Sequence, residues 1–382
     1  AGGDMVTGGP CGGGVLAGSA DRASAPSGKA PASTPTRGPA ALSPGLMPSS
    51  PRLLPAGANP AAALQALSAK GSFSGGSTPE QVAACEAARL RVFGELWHER
   101  ERRVAASSPY GNLKGWALLP VIVKANDDLR QEQFAVALIK VIQKCFDEAN
   151  LPLALHTCEI VATAPDGGLV QVKTNAISLD SVKKRQGGGT LSQVFEAVYG
   201  KPTSRSFQRA RQLFTESCAA WAVVAYLLQI KDRHNGNILL HADGYIVHID
   251  FGFLISNSPG GNIGFESAPF KLTHEYVELM GGVKSNCFRR FKNLFVQGFL
   301  AARKKDTKIM QLVEMTRTGV GRFLPCFIGG EQAVEQMRQR FKPGKNTRQA
   351  AQFAGELVDA SIGHWRTTCY DQYQRCVTGI RA

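Results

Sequence analysis

The chain has 382 residues, 43% of them hydrophobic and 19% charged, and 44 Lys/Arg against 30 Asp/Glu give it a formal charge of +14. No run approaches the roughly 18–20 apolar residues of a membrane-spanning helix, the start at Ala1 does not read as a secretory signal, and the nine cysteines include no Cys-x-x-Cys pair. These features argue against membrane-spanning, zinc-ribbon and disulfide-framework classes, and scattered thiols suit a reducing cytosol.

Residues 1–77 are dominated by Gly, Ala, Pro and Ser, with sparse, aperiodic large apolar residues. Such a segment cannot bury enough apolar surface to offset chain entropy and reads as disordered. Thr78-Pro79-Glu80-Gln81 then supplies an N-cap, a proline at N1 and a capping-box glutamine. One amphipathic helix is predicted over 79–106, followed by a turn-rich loop, Ser107 to Asn112. Ser107, Ser108 and Gly111 there could cover phosphates with hydroxyls and backbone N–H groups. The loop contains neither Gly-x-Gly-x-x-Gly nor a Walker-type Gly-x-x-x-x-Gly-Lys-Ser/Thr.

A strand is predicted from Trp116 to Lys124, then a helix from about Leu129 to Ala149. A lysine at the end of a strand, ahead of a helix carrying Glu132, has a mechanical reading. Lys124 would meet nucleotide phosphates while Glu132 holds its ammonium in place. Two more strands, Glu159–Thr163 and Leu169–Val172, flank the Pro165-Asp166-Gly167-Gly168 turn. Helices follow over roughly 191–199 and 205–230, and beyond the hairpin described next over 272–280, 286–304, 307–318 and 353–378. Strands followed by helices define an α+β arrangement.

Between the second and third of these helices lies Lys231-Asp-Arg-His-Asn-Gly-Asn-Ile-Leu-Leu-His-Ala-Asp-Gly-Tyr-Ile-Val-His-Ile-Asp-Phe-Gly252. Asp243-Gly244 between two strand-forming runs predicts a hairpin with a two-residue type I′ turn. Pairing Ala242 with Tyr245 would set Asn237 across from Asp250. An amide oxygen and a carboxylate would then converge as hard ligands for Mg²⁺. Asp232, Arg233 and His234 precede them, where a base could reach an incoming hydroxyl. The spacing points to phosphotransfer. From Gly282 to Ala382 there are 18 Lys/Arg against 7 Asp/Glu, so the C-terminal third favours an anionic partner such as a membrane surface.

Lys124-Ala-Asn-Asp-Asp-Leu-Arg-Gln-Glu132, Asp232-Arg-His-Asn-Gly-Asn237 and Asp250-Phe-Gly252 together resemble the phosphoinositide 3-/4-kinase catalytic domain, from about residue 90 onward. Ser108-Pro-Tyr-Gly111, Asn257-Ser-Pro-Gly-Gly261, the Gly264–Thr273 stretch and Tyr370-Asp-Gln-Tyr-Gln374 are similar to type III beta phosphatidylinositol 4-kinases, with details like the plant and algal branch. The resemblance implies a bilobal, protein-kinase-like fold, with an N-lobe over 78–174 and a C-lobe over 175–382 ending in a membrane-facing helix. It implies ATP and Mg²⁺ as cofactors. By match, Lys124 would bind ATP phosphates and Glu132 would position it. His234 would deprotonate or orient the inositol hydroxyl with Asp232 in support, and Arg233 would hold the loop. Asn237 and Asp250 would bind Mg²⁺, and the backbone of Val172 and Lys173 would bond adenine. Two departures stand out: Asn126 replaces the usual Gly, and Cys158 fills a back-pocket position often held by Tyr.

The segment from Asp250 to Thr273 contains one basic residue, Lys271. A substrate already carrying ring phosphates would need several cations, so unphosphorylated phosphatidylinositol is favoured on charge alone. The resemblance implies its 4-hydroxyl as the acceptor, with the 3-hydroxyl as the alternative. A related protein Ser/Thr kinase and a non-catalytic membrane module are weaker readings, and no pattern marks nucleic-acid binding. Trp365, Tyr370 and Tyr373, with Arg366 and Arg375, could rest the last helix on lipid headgroups. Cytoplasmic residence, peripheral attachment to Golgi-type or other endomembranes, and recruitment by a small GTPase or adaptor follow from the resemblance.

Overall fold

The computed structural model describes residues 78–259 and 268–381. The expected disordered segment 1–77 and residues 260–267 of the Asp250–Thr273 segment therefore lie outside the described residues, as do the side chains of Trp365 and Arg366.

The first ordered helix, α1 (Pro79–Phe93), starts on the Thr78–Gln81 capping box with Pro79 inside it. A single helix over 79–106 does not form. Gly94, at φ +76°, closes α1 through its N–H to Leu90, and α2 (Trp97–Ser107) begins after a break. The cause is local: a glycine takes positive φ without a Cβ penalty and ends a helix whose periodicity runs on.

Strand β1 (Val121–Ala125), helix α3 (Arg130–Glu148), β2 (Ile160–Ala164) and β3 (Gly167–Gln171) follow. The strands form an antiparallel sheet in the order β1-β3-β2, with Lys124 opposite Gly168. Phe134, Leu138, Ile139, Ile142 and Phe146 are buried along the inner side of α3, as is Leu129 just before it. Asn126, between β1 and α3, sits at φ +57°. The chain must turn left-handed there, and asparagine tolerates that region better than other residues with a Cβ.

The second sheet was only partly legible in the sequence. Strand β4 (Ala176–Ser178) pairs with β5 (Ile238–His241), which pairs with β6 (Ile246–His248), all antiparallel. Around it lie α4 (Leu179–Gln186), α5 (Leu191–Tyr199), α6 (Arg205–Leu228), α7 (His274–Leu279) and α8 (Asn286–Arg303). Then come α9 (Asp306–Thr318), α10 (Gly330–Arg340), α11 (Thr347–Ser361) and α12 (Trp365–Thr378). From Phe214 to Leu228 every residue of α6 is buried, as expected of a helix surrounded on all sides. It packs against α8, whose inner face carries Phe288, Phe291, Phe295 and Phe299. These elements make the fold α+β.

The long last helix predicted over 353–378 is two helices. Gly363, at φ +52°, breaks it, and a bridge between Leu272 and Ile362 with a Gly363 N–H bond to the Leu272 carbonyl fixes the corner. The broken helix lets α12 turn toward the loop that follows α6.

Candidate active site

The hairpin forms, with a register one residue from the expected one. Ile238 faces His248, Leu239 faces Val247 and Leu240 faces Ile246, so Asn237 stands opposite Ile249, whose N–H reaches the Asn237 carbonyl at 3.1 Å. The expected Asn237–Asp250 pairing is corrected accordingly. The turn holds three residues, because Ala242 gives its N–H to the Asn175 carbonyl just before β4 (2.8 Å) and is drawn out of the hairpin ladder. Gly244, at φ +102°, then takes the left-handed position that such a turn needs. A Cβ on Gly244 would also meet Ala210 of α6 at 2.7–2.8 Å.

Helix α6 anchors this hairpin by polar contacts and stacking. Ser217 Oγ accepts the Ile246 N–H (3.0 Å), the Trp221 indole N–H donates to the Ile246 carbonyl (3.2 Å), and Trp221 stacks on His248 with centroids 4.6 Å apart.

Asp250 lies just beyond the ladder and reaches the site by a left-handed turn at φ +61°, matched by Asp232 at φ +62° on the facing loop. Two non-glycine residues in this sparsely populated region need surrounding contacts to hold them. Arg233, 5% exposed, supplies many. Its guanidinium donates to the carbonyls of Lys231 (2.8 Å), Ile249 (2.7 Å) and Asp250. These bonds tie the loop at Lys231 to the end of the hairpin.

Asn237 donates its Nδ2 hydrogens to the Asp232 carbonyl (3.0 Å) and toward Asp232 Oδ2 (3.5 Å). That orientation leaves the Asn237 amide oxygen unused by any described residue. Asp250 is exposed and receives the Gly252 N–H on Oδ1 (3.3 Å). His234 Nε2 lies 3.8 Å from Asp232 Oδ1, while Nδ1 accepts the Gly236 N–H at 3.1 Å. Burial lowers the His234 pKa below the ordinary histidine value despite the nearby Asp232 charge, so the ring is neutral near pH 7.

Lys124 comes from β1 and meets Glu132 of α3 at 3.3 Å and Asp127 at 2.8 Å. Burial works against its ammonium, but Asp127 and Glu132 outweigh it and the Lys124 pKa rises. Burial raises the Glu132 pKa; Lys124 pulls it back, and the Asp250 charge pushes it up again. The influence of Asp250 on Glu132 places the hairpin end near the Lys124 pair. Gln131, absent from the sequence-based site, is what fastens them. It is buried on α3, donates to the carbonyls of Phe251 (3.1 Å) and Gly252 (2.6 Å), and accepts the Cys326 N–H (2.7 Å). Its only sequence signal was its place beside Glu132.

Other expected residues stand apart. Ser107 Oγ bonds the Val104 carbonyl and Ser108 Oγ accepts the Tyr110 N–H, so both hydroxyls serve their own turn. Gly111 is a packing glycine, since a Cβ there would fall 1.9 Å from the Ala105 carbonyl oxygen. The Val172 N–H goes to the Pro120 carbonyl (2.9 Å), and the Cys158 thiol is buried.

The C-terminal helix reaches the same loop. The Tyr370 hydroxyl bonds Asp232 Oδ1, and Asp371 pairs with Lys271 at 2.7 and 2.9 Å. Lys271 in turn reaches Asn235 Oδ1 at 3.4 Å.

Residues 118–327 match the family described as phosphatidylinositol 3- and 4-kinase. The chain is 46% identical over 289 residues to a phosphatidylinositol 4-kinase of Dictyostelium discoideum, an alignment covering 75% of this chain and 24% of that protein. It is 44% identical over 291 residues to phosphatidylinositol 4-kinase beta 1 of Arabidopsis thaliana (75% and 26%). It is 42% identical over 286 residues to phosphatidylinositol 4-kinase beta of Rattus norvegicus (75% and 34%). The chain therefore spans about a quarter to a third of the length of these relatives.

Proposed function

We propose a function from one premise: this chain belongs to the phosphatidylinositol 3- and 4-kinase family. It transfers the γ-phosphoryl group of ATP to the 4-hydroxyl of phosphatidylinositol, giving phosphatidylinositol 4-phosphate. What supports this reading is the Lys124–Glu132 pair and the Asp232–His234 pair, with the Asp250 carboxylate near enough to act on both Glu132 and His234.

Lys124, fixed by Asp127 and Glu132, binds nucleotide phosphates. The Asn237 amide oxygen and the Asp250 carboxylate are hard oxygen donors of the kind Mg²⁺ takes, and would hold it. That ion supplies charge neutralisation on the phosphates. His234, neutral through burial, accepts the proton of the attacking hydroxyl, and Asp232 stabilises the imidazolium. Because Nδ1 receives the Gly236 N–H, the proton can be taken only as that bond breaks. Positioning and charge supply most of the rate in such a site. Residues 78–174 form the nucleotide-side lobe and 175–382 the lobe with the acceptor site. The backbone of Val172 and Lys173 serves the base, and the backbone of the Ser107–Gly111 loop, whose serine hydroxyls are engaged within the turn, covers the phosphates.

Lys271 supports phosphatidylinositol itself as the substrate. As the one basic residue between Asp250 and Thr273, it is 5% exposed at its side chain and neutralised by Asp371, so it has no free charge for a ring phosphate. The choice of the 4-hydroxyl rests on the relatives' names. Helix α12 supports contact with a membrane surface. It turns Tyr370, Asp371 and Gln374 inward and presents Cys369, Tyr373, Cys376 and Val377 to solvent, with Tyr373 and Val377 56% and 62% exposed. An apolar stripe facing water on a helix with a polar inner side suits a lipid interface. Among the described residues no helix is long and apolar enough to cross a membrane. Cytoplasmic residence, Golgi-type membranes and recruitment by a small GTPase or adaptor rest on family resemblance.

The test is transfer from labelled ATP to phosphatidylinositol vesicles, with the product deacylated and its positional isomer resolved. A 4-phosphate is expected. A 3-phosphate, or phosphorylated peptide without a lipid product, would overturn the reading.

A further inference from the structure

We propose that Tyr370 is a positioning residue of the phosphotransfer site. Its hydroxyl holds the Asp232 carboxylate in place beside His234 and Asn237, so that the C-terminal helix completes the loop that carries the base. This rests on the kinase reading above.

The hydrogen-bond directions are fixed by chemistry. Gln374 Nε2 donates to the Tyr370 oxygen at 2.8 Å. The carboxylate of Asp232 can only accept, so the single hydroxyl hydrogen of Tyr370 goes to Asp232 Oδ1. A bond donated to a charged acceptor is among the stronger kinds in a protein. Asp232 has reason to need it. Its backbone is left-handed at φ +62°, and its two oxygens are divided between neighbours. Oδ2 lies 3.5 Å from the Asn237 amide nitrogen, and Oδ1 lies 3.8 Å from His234 Nε2. Rotation of this carboxylate would uncouple both.

The adjacent residue fixes the helix against sliding. Asp371 pairs with Lys271, their side chains 10% and 5% exposed, and Lys271 reaches Asn235 on the same loop. Asn235 also donates to the Arg381 carbonyl at 3.0 Å, beyond the end of α12. Tyr373, one turn away, is 56% exposed, whereas Tyr370 is 7% exposed. The two tyrosines of this helix therefore do different work.

The experiment compares the full chain with Tyr370→Phe, which keeps the ring and removes only the hydroxyl. Turnover on phosphatidylinositol vesicles and KM for ATP are measured alongside hydrogen–deuterium exchange of the 231–237 amides. The expected result is a fall in kcat of about tenfold, the scale of one hydrogen bond to a charged group, with KM for ATP unchanged and faster exchange in that loop. A residue that merely packs would leave both kcat and loop exchange as in the parent chain, and either of those results overturns the proposal. If the parent chain makes no phosphorylated lipid, the kinase reading fails while loop exchange alone still decides the role of Tyr370. Should Tyr370→Phe fail to fold, Gln374→Ala takes its place. It is expected to give the same pattern at smaller amplitude, and parental kcat or exchange would overturn the proposal there too.

Discussion

His241 sits at the turn end of β5, and its titration makes the stability of the hairpin measurably dependent on pH. The ring is buried, stacks on Tyr245 with centroids 4.3 Å apart and accepts the Asp243 N–H on Nδ1 at 3.1 Å. Burial lowers its pKa to about 4, with Asp243 opposing and Lys173, His156 and Arg89 adding to the shift. The unfolded chain takes up a proton near the ordinary histidine value, about 6.5. The stabilising effect of a neutral His241 is therefore complete above that pH and is lost as pH falls from about 6.5 to about 4. At about 1.4 kcal/mol per pH unit the whole effect is about 3 kcal/mol, of which about 2 kcal/mol falls between pH 7 and pH 5. Asparagine at this position keeps an acceptor for the Asp243 N–H and cannot titrate. His241→Asn should cost about 1 kcal/mol at pH 7 through lost stacking, yet lose about 2 kcal/mol less than the parent chain on going to pH 5. Urea unfolding followed by tryptophan fluorescence at both pH values measures the difference. Equal losses in the two proteins would refute the assignment of this acid sensitivity to His241. A residual slope is expected in the variant from fully buried His248, whose pKa burial drives well below the ordinary value.

Asp250→Ala should abolish phosphoryl transfer while leaving the thermal midpoint within a degree or two, because an exposed cleft carboxylate contributes little to stability; retained turnover with Mg²⁺ would remove it from the metal site. His234→Ala should lower kcat by about 10²–10⁴-fold, the usual range for losing a positioned base, while a fluorescent ATP analogue still binds. Gln131→Leu should destabilise the fold by about 2–4 kcal/mol, since it strands the buried Cys326 N–H and the Phe251 carbonyl, and denaturant midpoints would register it. Sedimentation with anionic vesicles should weaken as salt rises if the basic C-terminal third contributes; salt-independent binding would assign the contact to the apolar stripe of α12 alone.

What could be read from the chain itself was local. The capping box at Thr78 is complete within four residues, the Lys124–Glu132 pair needs only one strand-to-helix step, and the hairpin around Asp243-Gly244 is carried by its own turn signal. The order of these motifs along the chain is enough to identify the family. What depended on partners distant in sequence was not legible. The register of the hairpin was decided by Asn175, more than sixty residues upstream of Ala242, because a strand end with two competing acceptors takes the one that the second sheet supplies. The division between Tyr370 and Tyr373 was decided by a corner at Gly363 that turns α12 onto Asp232. The pairing of Lys271 with Asp371, a hundred residues further on, was likewise set by the fold. In each case the sequence supplied the functional group, and the tertiary structure determined which neighbour would satisfy its hydrogen bonds and charge, since a buried polar group must find a partner wherever the chain brings one.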